Sequence, residues 1–183
     1  MRIRFWGKVL GAALLGVAVV AAAAQAQPRP QPAVKTPAPP PARPLTDTER
    51  RTADELTAEQ KRLDADGARV FAASPDGRRR VPETIAKQFG VSDKVVNDLR
   101  ARRMTYGEVT VALAISQQLM KRDKGLGQQR ALDRVLALRK PGQGWGVVAR
   151  DLGAKIDEVV GEVKRTDKEL AKLDTVRAAK AAR

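Results

Sequence analysis

Two stretches decide the fold of this chain: RARRMTYGEVTVALA, residues 100–114, and RKPGQGWGVVARDLG, residues 139–153. Each begins with Arg, passes through a short loop to an aromatic residue followed by Gly, and continues into a segment with helical apolar spacing. Residues 99–113 align with 138–152 without a gap, so that Leu99 stands opposite Leu138. The repeat predicts a duplicated helix–turn–helix unit whose two halves pack together.

The aromatic-Gly pair has a packing role in this prediction. The ring fills the gap between two helices, and the Gly allows their backbones to approach closely. We therefore expect both rings to lie in the core rather than to contact a ligand. The predicted repeat core comprises Leu99, Tyr106, Gly107, Leu138, Trp145 and Gly146, with the turn glycines Gly90 and Gly153.

A second internal match overlaps the first in sequence but pairs different segments. IAKQFGVSDKVVNDLR (85–100) and VARDLGAKIDEVVGEVKR (148–165) both read apolar-Ala-x-x-apolar-Gly, followed by a helix with a Val-Val pair. In these two segments the chain resembles the helix-turn-helix pattern of DNA-binding proteins, over about 20 residues per copy. The resemblance implies a local fold, and it implies sequence-specific DNA binding only if the second helix suits a groove.

The predicted second helices are poor groove readers. The first would present Asp93 and Asp98 beside Lys94. The second would present Lys155, Asp157 and Lys164, with Glu158 and Glu162 beside them. Two acids facing a phosphate-lined groove oppose binding, and no Arg or Gln is placed to read a base edge. We expect the motif to serve as a packing unit.

The N-terminus predicts export. Three bases and no acid in residues 1–8 precede an apolar run from Val9 to Ala24, which ends in the small-x-small pattern Ala24-Gln25-Ala26. This is typical of a cleaved signal peptide over residues 1–26, and the apolar run is shorter than the roughly 20 residues that span a bilayer. The aromatic-Gly repeat also resembles uncharacterised exported bacterial proteins. The sequence thus predicts a periplasmic or secreted protein that meets the membrane only through its signal peptide before cleavage.

Residues 27–44 form a proline-rich spacer that holds eight of the eleven prolines. Such a composition favours an extended tether without a core. The folded domain is therefore predicted over 45–176, followed by a frayed basic tail over 177–183. The chain has no Cys and no His. This excludes Ser-His and Cys-His nucleophiles and His/Cys metal sites, so we predict no catalytic residues, no metal and no cofactor.

Helical spacing recurs through the domain and no long stretch alternates with period two, which predicts an all-α fold built as a small helical bundle. Thr46-x-x-Glu49 predicts a capping box that opens a loosely docked helix ending near Asp64–Gly67. Val70 and Phe71, followed by SPDGRRR (74–80), are predicted as a short apolar piece and a turn, with Pro82 at the first position of the next helix. Further helices are predicted over 82–89, 93–102, 105–122, 131–139, 145–152 and from Ile156 onward.

The formal net charge of +14 is unevenly distributed. Residues 45–77 carry five bases and eight acids, whereas 78–103 carry eight bases and three acids, and 121–140 carry seven bases and two acids. Basic residues at helix C-termini either favour the helix dipole or converge into one face that binds polyanions. The candidate anion-binding residues are Arg78, Arg79, Arg80, Arg100, Arg102, Arg103, Lys121, Arg122, Lys124, Arg139 and Lys140. Arg100 and Arg139 occupy equivalent repeat positions, so each could instead close its own loop.

These observations predict a non-enzymatic, exported basic protein that binds envelope or extracellular polyanions such as nucleic acid, lipopolysaccharide or acidic polysaccharide. The alternative is a periplasmic scaffold in which helices 46–66 and 156–176 present amphipathic faces to a protein partner. A third hypothesis is a DNA-binding protein with a misinterpreted N-terminus. Glu108 is the one acid in the apolar central helix, and a helix N-terminal position explains it without catalysis.

Overall fold

The computed structural model of the chain describes residues 43–73 and 75–181, of which 75 and 174–181 are described by backbone alone. The predicted signal peptide, residues 27–42 of the spacer and residues 182–183 lie outside this range. Every element in the described residues is helical, which confirms the all-α fold. The helices are α1 Asp47–Ala73, α2 Pro75–Phe89, α3 Asp93–Ala101, α4 Tyr106–Arg122, α5 Gln128–Leu138, α6 Trp145–Asp151 and α7 Ile156–Ala181.

Helix α4 is the central helix, as its apolar composition predicts. It packs against α1, α2, α3, α5 and α7. Side chains around its whole circumference are buried, including Val109, Val111, Leu113 and Ile115, which expose no surface. A helix that is apolar on all sides is stable only when neighbouring helices surround it. The rest of the bundle is therefore arranged around α4.

Helix α1 differs from its prediction in length and in packing. The capping box is present: Thr46 N donates to Glu49 at 2.8 Å, and Glu49 N donates to Thr46 Oγ1 at 3.2 Å. A hydrogen bond from Arg43 lowers the pKa of Glu49 to about 2. The prediction that α1 docks loosely is wrong, because Leu56 and Leu63 are fully buried against its neighbours. A few large side chains, two turns apart, are enough to hold α1 against α4, α6 and α7.

The predicted helix end at Asp64–Gly67 is also wrong. Helix α1 continues to Ala73, and Gly67 lies inside it against the Tyr106 ring, where a Cβ would stand 3.5 Å from Cδ2. A Cβ at this distance would make an ordinary van der Waals contact, so Gly67 packs against the ring as a helical residue instead of ending the helix. Helix α2 likewise begins at Pro75, well before the predicted start, so residues 75–80 of the predicted turn are helical and Pro82 lies inside the helix.

The two helix-turn-helix segments share one turn geometry. Gly90 and Gly153 both have a left-handed backbone, with φ of 63° and 68°. In each copy the N–H after the Gly donates to the repeat alanine five residues before it: Val91 to the Ala86 carbonyl at 2.9 Å, and the equivalent bond at 2.8 Å in the second copy. This hydrogen bond ends the first helix of each pair in the same way.

Helices α1 and α7 form the longest helix–helix interface of the bundle. Helix α7 begins at Ile156 as predicted, and its apolar side, including Val163 and Leu170, is buried. Its backbone is helical as far as Ala181, beyond the domain end predicted at Val176. Helix α5 runs back along α4 after the short loop 123–127, so the two form an antiparallel hairpin.

Candidate anion-binding site

The repeated stretches form two loops of the same design, which we call the first repeat loop (100–108) and the second repeat loop (139–147). In the first, Arg100 Nη1 donates to the Met104 carbonyl, and in the second Arg139 Nη1 donates to the Gln143 carbonyl. The carbonyl belongs in both cases to the fourth residue after the Arg. These two candidate anion-binding cations therefore close their own loops.

The same two guanidinium groups also cover the repeat aromatics. Arg100 Cζ lies 4.3 Å from the centre of the Tyr106 ring, and Arg139 Cζ lies 4.8 Å from the centre of the Trp145 ring. Both aromatic residues are buried, with 8% and 4% of their surface exposed. A cation over a ring face gains from the ring quadrupole. The rings are thus interior packing groups, as predicted.

The repeat glycines bring both loops against α1. A Cβ at Gly107 would stand 2.5 Å from the Gln60 carbonyl oxygen, and a Cβ at Gly146 would stand 2.3 Å from Ala53 Cβ. The two contacts on α1 are about two helical turns apart and so lie on one side of the helix. Gly107 N also donates to Asp64 Oδ1 at 2.6 Å. These close approaches dock α4 and α6 by their first turns.

The other members of the predicted repeat core divide between the interior and the surface. Leu99 is buried, while Leu138 is only half-buried at the end of α5. Gly90 and Gly153 are exposed and serve the turns rather than the core. A Cβ at Gly153 would stand 2.4 Å from Arg122 Nη1, because that guanidinium donates to the carbonyls of Leu152 at 3.0 Å and Gly153 at 2.7 Å. Arg122 therefore stabilises the C-terminus of α6.

The arginine run 78–80 lies on α2 rather than in a turn. Arg79 pairs with Glu83 at 3.6 Å and Arg80 with Asp76 at 3.9 Å, each one helical turn away. Arg78 lies over the Phe71 ring at 5.6 Å from its centre. These three cations are exposed, but each has a partner within its own region of α1 and α2. These three arginines are separate from the basic residues of α5, because α5 packs mainly against α4.

The remaining candidates lie at the two ends of α4. Arg102 and Arg103 precede its first turn, whereas Lys121 and Lys124 lie at its last turn and just beyond. A helix of 17 residues is about 25 Å long, so these groups are not one cluster. Lys140 lies at the far end of α5, on the same end of α4 as Arg102, since the neighbouring Arg139 reaches Glu108 at 3.3 Å.

Helix α5 connects the two ends and carries two cations that the sequence analysis missed. Arg130 and Arg134 are exposed and stand four residues apart, so they share the side of α5 opposite to the buried Ala131, Leu132 and Val135. The predicted helix began at Ala131, which left Arg130 outside it. The Arg-x-x-x-Arg spacing inside a basic segment was the signal that could have identified the pair.

We call residues 121–140 the basic hairpin. Among the residues that the structure describes, five of its seven cationic side chains have neither an ion pair nor a hydrogen bond: Lys121, Lys124, Arg130, Arg134 and Lys140. Its two acids are otherwise engaged. Asp123 accepts from Gly125 N at 3.1 Å, and Asp133 accepts from Gln129 Nε2 at 3.0 Å. The exposed positive charge of this hairpin is therefore uncompensated by its own carboxylates.

The α1–α7 side of the molecule has the opposite character. Lys164 Nζ lies 2.6 Å from Glu55 and 3.9 Å from Glu59, and its hydrogen bond with Glu55 raises the pKa of the lysine. Lys155 pairs with Glu158 at 2.8 Å, which raises the pKa of Lys155 in the same way. Most cations here are matched to acids across or along the helices, and among the described residues only Arg51, Lys61 and Lys168 of α1 and α7 lack such a partner. An anion would have to displace those acids.

The predicted outward cations of α3 and α7, the second helices of the two helix-turn-helix segments, are also paired with acids. On α3, Lys94 pairs with Asp98 at 2.7 Å. On α7, Lys164 is held by Glu55 of α1, which packs along it. The candidate DNA-reading cations are thus paired with acids.

The comparisons with known proteins add no family. No family model, no curated protein and no solved structure matches this chain. Within 43–73 and 75–181, the helices are too short or too polar to cross a membrane, and no group of three or more Asp or Glu side chains is arranged to hold a metal ion.

Proposed function

We propose that this chain is an exported, non-enzymatic protein that binds polyanions of the cell envelope or extracellular space through the basic hairpin. The observation that carries the proposal is the set of five exposed cations on residues 121–140 that lack a carboxylate partner among the described residues. Unpaired surface cations create a positive potential that attracts anionic polymers. Cations that already have acidic partners contribute less, and most cations of the α1–α7 side have such partners, whereas most of those on the hairpin do not.

The layout of the hairpin favours a linear ligand. Helix α5 has 11 residues and is about 16 Å long, with free cations before it, along it and after it. The buried positions of Tyr106 and Trp145 leave these rings unable to stack on bases or sugars. Recognition then depends on phosphate, sulfate or carboxylate charge. Binding of this kind weakens steeply as salt concentration rises.

Two alternatives receive less support. A scaffold built on the apolar faces of helices 46–66 and 156–176 would need those faces free, but Leu56, Leu63 and Leu170 are fully buried within the bundle. Sequence-specific DNA binding would need unpaired cations on α3 or at the start of α7, where Lys94 and Lys155 each face an acid. Both observations favour the basic hairpin as the interaction surface.

The test compares two triple variants with the same change in net charge. Lys124→Gln, Arg130→Gln and Arg134→Gln remove free cations of the hairpin. The control, Lys94→Gln, Lys155→Gln and Arg165→Gln, removes cations that are paired with acids on α3 and α7. Circular dichroism checks that both variants keep the wild-type helix content.

We expect the hairpin variant to elute from immobilised heparin at clearly lower salt than the control. Its plot of log binding constant against log salt concentration should also be shallower by about one unit for each cation that no longer pairs with the polymer. Equal shifts in both variants would mean that net charge alone governs retention, and the hairpin would not be a binding site. Mass spectrometry of the N-terminus of the protein recovered from each cell fraction tests export, since an intact Met1 in the cytoplasm would contradict it.

A further inference from the structure

A buried carboxyl group on α7 is not explained by the anion-binding proposal. Asp167 exposes 3% of its surface, in the interface between α7 and α1. Its Oδ2 atom lies 3.1 Å from Arg62 Nε. Its Oδ1 atom is buried and has no hydrogen-bond partner within the described residues. A buried acceptor without a partner is costly, so a native structure that retains one requires an explanation.

The group beside Asp167 is another carboxyl, that of Asp66 on α1, which stands one helical turn beyond Arg62 and so on the side of α1 that faces Asp167. Asp66 is itself paired with Arg69. Each carboxyl thus uses one arginine, and the two arginines lie on the solvent side, with Arg62 two-thirds exposed. Two carboxylates cannot donate to each other. One proton between them would turn the contact into a hydrogen bond.

We propose that Asp66 and Asp167 share one proton across the α1–α7 interface, and that loss of this proton loosens the C-terminal half of α7 from α1. The pair acts as a pH-sensitive latch between the two longest helices. The proposal is independent of the basic hairpin and of any ligand. Its basis is the approach of two acids across a buried helix interface.

The other charged groups around the pair do not remove the need for a proton. From α1, Arg62 favours ionisation of Asp167, whereas Glu59 opposes it, and Arg69 is paired with Asp66. On α7 itself, Lys164 is occupied by Glu55 and Glu59. Helix α2 packs on the next turn of α7, where Arg80 and Lys87 line a groove together with Glu169. Burial, followed by the charge of Asp66, raises the pKa of Asp167 above its ordinary value.

The direction of the pH effect follows from this shift. A carboxyl whose pKa is higher in the folded state holds its proton in the fold after the unfolded chain has lost it. Stability from the pair is therefore present at low pH and is lost as pH rises through the folded-state pKa. Between the unfolded-state pKa of Asp, about 3.9, and the folded-state pKa, the unfolding equilibrium constant rises by up to tenfold per pH unit for one proton.

Asp167→Asn tests the proposal, because the amide NH₂ donates permanently to Asp66 while its oxygen still accepts from Arg62. Asp54→Asn on the exposed side of α1 makes the same charge change and serves as the control. We would measure urea unfolding of the purified protein from pH 4 to pH 8. The unfolding constant of Asp167→Asn should match wild type near pH 4 and be at least tenfold smaller near pH 8. The ratio of Asp54→Asn to wild type should vary little over the range.

The proposal is overturned if Asp167→Asn shifts the unfolding constant by the same factor at every pH, or if it is the less stable protein at pH 8. Should that variant fail to fold, ¹³C NMR titration of the wild-type aspartates decides. A coupled pair should show one carboxyl that titrates clearly above the usual value of about 3.9, and ordinary titration of every aspartate would refute it. Hydrogen exchange of amides 168–173, compared between wild type and variant at one pH, reports the loosening.

Discussion

The two repeat loops reach the same backbone path with different local sequences. Both place an Arg over the following ring and bond it to the carbonyl four residues on. Both also contain one left-handed residue, Arg103 with φ 66° and Gly142 with φ 78°, at equivalent positions of the repeat. The shared elements are the arginine, the left-handed residue and the aromatic-Gly pair. These elements define the loop.

The loops differ in how they open the helix that follows. In the first, Thr105 Oγ1 accepts from Glu108 N at 3.1 Å and the Glu108 carboxylate accepts from Thr105 N at 3.0 Å, which completes a capping box. In the second, Gly144 occupies the cap and supplies no side-chain acceptor. Helix α4 has 17 residues and α6 has only seven. A local cap thus accompanies the long central helix, while the short helix depends on tertiary contacts.

The difference teaches that loop shape and helix stability are separable in this repeat. The second loop is also held by a residue of the first, because Arg139 Nη2 donates to Glu108 at 3.3 Å, the carboxylate that caps α4. The first loop is held by a residue of α1, because Asp64 accepts a hydrogen bond from Gly107 N. The following substitutions measure each contribution, beginning with the largest.

Adding a methyl group at the α1 contact should have the largest effect. Gly146→Ala would place its Cβ 2.3 Å from Ala53 Cβ, and Gly107→Ala would place its Cβ 2.5 Å from the Gln60 carbonyl oxygen. Each clash forces α1 away from a helix N-terminus, and we expect each substitution to lower the free energy of unfolding by about 2–3 kcal/mol. Urea unfolding monitored by circular dichroism measures the loss.

A second substitution separates the two loops. Ala53→Gly removes the atom that Gly146→Ala meets, so the double variant should regain part of the lost stability, less the roughly 0.5–1 kcal/mol that a glycine inside α1 costs. No substitution at Gln60 removes a main-chain oxygen, and Gly107→Ala should therefore resist rescue by Gln60→Gly. If both second substitutions restored stability, or if neither did, the two loops would not differ in meeting a side chain and a main-chain oxygen of α1.

Removal of the carboxylate on α1 should affect the first loop alone. Asp64→Ala leaves Gly107 N, in the first turn of α4, without its acceptor at 2.6 Å. Because the bond joins a charged acceptor to a helix N-terminus, we expect a loss of about 1.5–2 kcal/mol in the free energy of unfolding. Asp54→Ala, at an exposed acid on the same helix, is the control and should change stability little. Equal losses in both variants would assign the effect to net charge.

Substitutions at the left-handed position should change the free energy of unfolding in opposite directions in the two loops. Arg103→Gly relieves a side chain at φ 66° and should raise the free energy of unfolding by about 0.5–1 kcal/mol, whereas Gly142→Ala introduces that strain and should lower it by about 1 kcal/mol. Thermal unfolding of the two variants gives both values. A stabilising Gly142→Ala would contradict the assigned backbone conformation.

The smallest expected effect concerns the missing cap. Gly144→Ser gives the second loop a side-chain acceptor at the N-cap of α6, and we expect a gain of about 0.3–0.5 kcal/mol. Thr105→Gly, the reverse change in the first loop, should cost a similar amount plus the loss of the capping box. Chemical unfolding of the pair checks both, and a larger effect at Gly144 than at Thr105 would reverse the comparison.

Much of this fold could be predicted from the sequence because its signals are local. Gly90 and Gly153 end helices where a left-handed residue is needed, and Thr46 with Glu49 opens α1. The gapless repeat of 99–113 in 138–152 predicted two equivalent loops with buried rings, and the structure has them. Apolar spacing determined the central helix α4 within one residue.

Other features depend on contacts that only the tertiary structure provides. Helix α1 continues past Gly67, which packs against Tyr106, a ring on α4 that is distant in the chain, and the helical start of α2 overrides the turn that SPDGRRR predicts. Apart from Arg100 and Arg139, which stand at equivalent repeat positions, the eleven candidate cations could not be told apart in the sequence. Arg100, Arg122 and Arg139 proved to hold carbonyl groups, while Arg130 and Arg134 joined the exposed set. Local sequence determines which backbone shapes a segment favours, but the partner of a long charged side chain depends on which helices fold against it.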